Sequence, residues 1–168
     1  KVSGGLHGVG VAVVNALSVW LEARVHRDGS EYYAKFQLGE LITPVKKVGE
    51  SSKRGTIVRW LADSSIFTET ITYNFEVLSS RLRELAFLNR NISIVLRDER
   101  LSVPKETTFA FEGGISHFVS YLNENKQVLP KTPILVEGEK NDTVAEIALQ
   151  YNDGYSENIL SFVNDINT

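Results

Sequence analysis

The stretch from Trp20 to Leu61 constrains the fold most, because it alternates extended segments with turn signals. Trp20 to Arg27 and Glu31 to Gln37 flank Asp28-Gly29. Aspartate-glycine between two such runs marks a two-residue hairpin whose central positions both take positive φ. Leu41 to Val48 and Gly55 to Leu61 bracket the polar run Gly49-Glu50-Ser51-Ser52-Lys53-Arg54, which reads as an exposed loop between two more strands. Four antiparallel strands are therefore expected between about residues 19 and 62.

From Asn74 the period changes. Phe75, Leu78, Leu82, Leu85 and Phe87-Leu88 recur every three or four residues, with Glu76, Arg81, Arg83 and Glu84 on much of the other face. This spacing predicts an amphipathic helix capped by Asn74. Ile92, Ile94 and Leu96 alternate as a strand, the polar stretch Glu99 to Glu106 reads as a loop, and Gly113-Gly114 is a break. Ile115, Phe118, Val119 and Leu122 then predict a short helix, followed by strands at Ile134 to Glu137, Val144 to Tyr151 and Tyr155 to Val163 around an Asn152-Asp153-Gly154 turn. The break near residue 112 is the expected domain boundary.

Composition excludes several classes of chemistry. The 168 residues suffice for one medium domain or two small ones with a real core. Eighteen Lys+Arg against 21 Asp+Glu give a net charge of −3, so any contact with nucleic acid depends on a local basic patch. Without cysteine there is no disulfide framework, thiolate metal site or cysteine nucleophile. His7, His26 and His117 are too scattered to form a ligand pair. The longest apolar runs fall short of a membrane span, and these residues show no signal-peptide pattern. The expectation is a cytoplasmic chain with no membrane partner. Lys1 as first residue and the lack of any methionine lead to the expectation of an internal piece of a longer protein.

The chemistry-bearing candidate is Gly5-Leu6-His7-Gly8-Val9-Gly10, which runs into Val11-Ala12-Val13-Val14-Asn15-Ala16-Leu17, where a helix is expected from near Gly8. Glycines let backbone N–H groups approach a ligand, and a helix N-terminus adds unpaired donors and the positive end of a dipole. The pattern suits a polyphosphate, and equally a flexible loop packed against a helix. It lacks the lysine of the Walker motif and the spacing of the dinucleotide fingerprint. Thr56, on an expected strand, reads as a good β-former, and Arg81, Arg83 and Glu84 as a solvated helix face with local ion pairs. Asp63, Glu69 and Glu76 read as surface charge.

Five ordered blocks carry a family resemblance. Lys1-Val2-Ser3-Gly4-Gly5-Leu6-His7-Gly8-Val9-Gly10-Val11 resembles the ATP-lid glycine box in the ATPase subunits of bacterial type II DNA topoisomerases. Gly55-Thr56-Ile57-Val58-Arg59, Arg81 to Asn89, Phe111-Glu112-Gly113-Gly114-Ile115 and Gln150 to Asn164 resemble that family in the same order. The gyrase type is nearer than the topoisomerase IV type, and the similarity covers essentially the whole chain.

The resemblance implies an α+β chain: residues 1–112 as the C-terminal half of a GHKL-type ATPase α/β sandwich, then residues 113–168 as the first part of a transducer domain of left-handed βαβ type. It implies ATP as cofactor, wrapped by backbone groups of Leu6, His7, Gly8, Val9 and Gly10 with Val11 at the helix start. Thr56 would join the adenine contact, and Val58 would line the base. The family's general-base glutamate, Mg²⁺-binding asparagine and adenine-reading aspartate belong to a segment before the glycine box, and its phosphate-reaching transducer lysine to one after Thr168. No catalytic residue and no metal ligand is therefore expected within these 168 positions, and this piece alone should not hydrolyse ATP. Implied partners are double-stranded DNA, the topoisomerase A subunit and a second copy of the ATPase region. The alternatives are another GHKL protein, such as a mismatch-repair ATPase, chaperone or histidine kinase, and a non-catalytic interaction module.

Overall fold

The computed structural model describes residues 8–168. The fold divides into two compact units, the first ending at Thr72 and the second spanning Tyr73–Thr168.

In the first unit, helix α1 (Val9–Ala16) precedes strands β1 (Ser18–Arg27), β2 (Ser30–Gln37), β3 (Glu40–Glu50) and β4 (Gly55–Ala62). The strands form one antiparallel sheet in the order β3-β2-β1-β4, as the alternation and turn signals predict. At the β1–β2 turn Asp28 and Gly29 have φ of 51° and 76°, the geometry that matches the right-handed twist of the flanking strands. The β2–β3 turn is formed by Leu38 and Gly39 at φ 49° and 83°; a leucine in the left-handed region gives no turn signal.

Cross-strand partners share a face of a sheet. The register pairs Leu21 with Phe36 and Trp60, Ala23 with Ala34 and Val58, and Val25 with Tyr32 and Thr56. This face is apolar, with Leu21 and Ala34 buried. The opposite face carries Glu22, Arg24 and His26 with their partners Lys35, Tyr33 and Glu31. Its charges are matched in place: Arg24 bonds Glu31 at 2.6 Å and lies over the Tyr33 ring, and Lys35 lies 3.5 Å from Glu22. Helix α1 packs on β1 and β4. Its end is fastened by hydrogen bonds from Ser18 Oγ to the Val14 carbonyl (2.6 Å) and from Asn15 Nδ2 to the Gly39 carbonyl (3.2 Å).

The second unit contains α2 (Phe75–Leu88), β5 (Ile94–Asp98), β6 (Lys105–Phe109), α3 (Gly114–Leu122), β7 (Val128–Lys140), β8 (Thr143–Asn152) and two short strands, β9 (Phe162–Val163) and β10 (Ile166–Asn167). Asn74 caps α2 as its sequence predicts, its Oδ1 accepting from the backbone N–H groups of Glu76 (2.9 Å) and Val77 (3.1 Å). The core is aromatic. Phe87, on α2, stacks on Phe111 with ring centroids 3.7 Å apart and on Phe118 of α3 at 5.0 Å. Ala86 and Phe109 are buried beside it in the same unit.

Three expectations change in this unit. Lys105-Glu106, read as loop, begins β6, which pairs antiparallel with β5. The β7–β8 ribbon turns at Asn141-Asp142, both at positive φ, and β7 starts six residues before Ile134. The strand expected over Tyr155 to Val163 does not form: only Phe162–Val163 pairs, with Ile166–Asn167. Asn152 is the reason the chain leaves the ribbon, because its Oδ1 accepts the Gly154 N–H at 2.8 Å, a side-chain turn that competes with strand continuation.

Side-chain amides complete this end of the ribbon. The register shifts between Leu129 and Ile134, which takes the Pro130 and Lys131 carbonyls off the ladder, and Gln150 Nε2 donates to both (2.9 and 3.2 Å). Asn123, at the end of α3, donates to Gln150 and accepts from Asn152. This accounts physically for a glutamine and an asparagine at these two positions.

Two stability measurements check this description. Phe87→Ala is expected to cost about 3–5 kcal/mol, read from the urea midpoint. Asn74→Ala is expected to cost ~1 kcal/mol by loss of the cap, with Asn74→Ser restoring most of it; equal midpoints for Asn74→Ala and the parent would refute the capping role.

Candidate functional site

The glycine-rich entry to α1 is the first part of the site. Leu6 and His7 lie outside the described residues. Gly8 occupies the helix N-cap at φ 81°, and no side chain caps the helix there. A Cβ at Gly8 would meet open space but would have to sit in the left-handed region, which costs a non-glycine residue roughly 1–2 kcal/mol. Val9, Gly10 and Val11 follow, all exposed. The first backbone N–H groups of a helix have no partner within it. This exposed turn, with no acidic residue in it, therefore presents donors and a positive dipole end that an anion can satisfy.

The second part is the apolar face of the sheet at β4, one of the two strands on which α1 packs. Thr56 and Val58 point from the same face, opposite Val25 and Ala23. That puts one exposed hydroxyl beside aliphatic surface, a combination that supports a flat heteroaromatic ring lying on Val58 while bonding to Thr56.

Other sequence candidates behave differently. Arg81 pairs with Glu84 at 2.6 Å, three residues on, as expected of a solvated helix face. Arg83 does not belong to that face. Its guanidinium sits 5.5 Å from the Phe109 ring centroid and 5.2 Å from that of Tyr121, and Nη1 donates to Tyr121 Oη at 2.7 Å. It is a packing residue at the edge of the aromatic core. Asp63 caps a turn: its Oδ1 accepts from Ser65 Oγ (2.7 Å) and N–H (2.8 Å), which holds its carboxyl below the usual carboxylate range. Glu76 pairs with Lys105, whose ammonium also faces the Phe75 ring.

A cleft of about 260 Å³ in the second unit is lined by Tyr73, Phe75, Leu78, Leu96 and residues 97–100. Its wall is held by one guanidinium. Arg100 bonds Asp98 through Nη2 (2.6 Å) and Nε (2.8 Å), and its Nη1 donates to the Tyr73 carbonyl (2.8 Å). These bonds, with the Arg100 backbone N–H, hold the Asp98 carboxyl down to about 2. Among the described residues no group of three or more histidines and carboxylates is placed to hold a metal, and no helix is long and apolar enough to cross a membrane.

The chain is 73% identical over all 168 residues to the DNA gyrase B protein of Treponema denticola, 65% identical to that of Treponema pallidum and 51% to that of Staphylococcus epidermidis. By sequence, it matches a segment of DNA gyrase B. It spans 26% of the length of each of these three relatives. The family model for DNA gyrase B matches residues 114–168. The fold is that of a solved structure, the 43K ATPase domain of Thermus thermophilus gyrase B in complex with an aminocoumarin, with TM-score 0.85 and 33% identity over 96% of this chain and 44% of that one. The α+β class implied by the resemblance is thus the observed one. These three relatives all carry the name of the gyrase type, the nearer of the two types that the sequence motifs resemble.

The Asp98 clamp yields a pH prediction. A carboxyl held below its unfolded value adds stability above that value and loses it as pH falls toward the folded one. The contribution of Asp98 is therefore expected to fade between about pH 4 and pH 2. Asp98→Asn should flatten the acid limb of the stability curve there while changing little at pH 7 beyond the loss of the ion pair; an unaltered acid limb would show that the clamp is not formed in solution.

Proposed function

We propose that this chain is the part of a gyrase B-type subunit that closes over ATP and begins the relay of nucleotide binding to DNA strand passage. The observation that carries the reading is the whole-length match to gyrase B together with the shared fold of a gyrase B ATPase domain. In it, residues 1–112 belong to the GHKL ATP-binding domain and residues 113–168 to the transducer. The family-model match starting at residue 114 and the glycine pair at 113–114 support that division.

The roles are those the family resemblance implies, and the geometry from Gly8 onward supports them. Backbone N–H groups of Leu6, His7, Gly8, Val9 and Gly10 bind the polyphosphate, and Val11 lies in the first turn of the helix whose dipole favours it. Gly8 at positive φ and the open space at Gly10 let the backbone approach the phosphate oxygens. Thr56 bonds the adenine side of the nucleotide, and Val58 lies against the base. ATP supplies the γ-phosphoryl group, with Mg²⁺ held by residues outside this segment. Because these loop donors gain partners only with nucleotide bound, binding favours an ordered lid and, through it, dimerisation of two ATPase regions around a DNA duplex. The general base and the transducer lysine lie elsewhere in the full-length protein, so these 168 residues position the substrate and do not by themselves hydrolyse it. The A subunit is the partner that cleaves DNA, and the assembly works in the cytoplasm.

The test is plasmid supercoiling by the full-length protein with its A partner. ATP-dependent supercoiling is expected. Thr56→Val should raise the KM for ATP roughly five- to thirtyfold, equivalent to ~1–2 kcal/mol for a lost bond, with kcat little changed. Gly8→Val with Gly10→Val should abolish turnover. Normal ATP kinetics in both variants would overturn the lid and adenine assignments.

A further inference from the structure

Helix α2 ends at Leu88, with Asn89 as its cap, and the next side chain reaches across to the β7–β8 ribbon. Arg90 Nη2 donates to Glu137 Oε1 at 2.6 Å and to Glu146 Oε2 at 3.4 Å. These carboxylates are directly opposite one another in the ribbon register, where two like charges repel. A single guanidinium joins both. Its stem runs over Gly114, the first residue of α3, which is buried and has φ 57°; a Cβ there would lie 2.6 Å from Arg90 Nε and 3.0 Å from its Cγ. A side chain at position 114 would therefore block the route to the ribbon. The end of α2, the start of α3 and the middle of β7–β8 meet at one residue.

The three charged side chains are all partly exposed, so the bridge contributes little to global stability. What one guanidinium nitrogen shared between two strands supplies is direction. We propose that Arg90 is a positioning residue that fixes the orientation of the β7–β8 ribbon on α2 and so couples ATP turnover to strand passage. This rests on the reading that residues 1–112 belong to the ATPase and residues 113–168 to the transducer.

The experiment uses the full-length protein with its A partner and measures kcat and KM for ATP alongside supercoils introduced per ATP hydrolysed. Arg90→Gln is expected to leave the KM for ATP within about twofold and to lower supercoils per ATP by roughly 2- to 30-fold, the range seen for residues along coupling routes. The Glu137→Gln/Glu146→Gln double variant should give the same loss and add nothing to it when combined with Arg90→Gln. Arg90→Glu combined with Glu146→Arg should recover part of the ratio. If Arg90→Gln does not fold, the double glutamine variant, which leaves Arg90 over Gly114, carries the same expectation. An unchanged ratio in these variants, or a loss matched by a rise in KM, overturns the coupling role. A parent protein that hydrolyses ATP without supercoiling overturns the functional reading instead, and the coupling role with it.

Discussion

The stacked rings of Phe87, Phe111 and Phe118 are the contact on which the second unit depends. Phe87 belongs to α2, Phe111 to the segment between β6 and α3, and Phe118 to α3, so one aromatic group joins the two helices and the chain between them. Aromatic pairs with centroids about 4.5–7 Å apart, as in Phe87–Phe118 at 5.0 Å, contribute beyond their buried area, and Phe87 is only 2% exposed. Arg83 closes the edge by lying against Phe109 and Tyr121. With that group in place, the carboxyl end of α2 has a fixed position relative to Gly114, and Arg90 can reach the ribbon.

The first unit is organised by a different constraint, the segregation of the two faces of one sheet. Paired charges occupy one face and apolar residues the other. On the apolar face Thr56 introduces a hydroxyl at the strand end beside Val58. The positive end of α1 and this face are the two elements on which the proposed nucleotide site rests, and both lie in the unit that precedes Tyr73.

How much of this was legible in sequence follows from the range of each interaction. The four strands between Ser18 and Ala62, the cap at Asn74 and the helix after it rest on neighbours within a few positions, and local spacing displays them. β6 was hidden because Lys105-Glu106-Thr107-Thr108 is polar and only Phe109 is buried. Arg83 resembled a solvated residue because its hydroxyl partner, Tyr121, is 38 positions away. The Arg90 bridge spans 47 and 56 positions and cannot be anticipated without the ribbon register. Of the residues assigned to the phosphates, Gly8 to Val11 stand at the helix start as the glycine pattern implies; for Leu6 and His7 the motif alone speaks.

The β7–β8 ribbon is fastened in two chemically unlike ways. At its base Asn123, Gln150 and Asn152 use neutral amides, which neither titrate nor respond strongly to ions. Midway along, Arg90 holds Glu137 and Glu146 by charge, and exposed charges are screened within roughly 10 Å at 0.1 M salt. Ionic strength therefore loosens one attachment and spares the other, which makes the base an anchored pivot and the middle a tether whose grip follows the electrolyte around it.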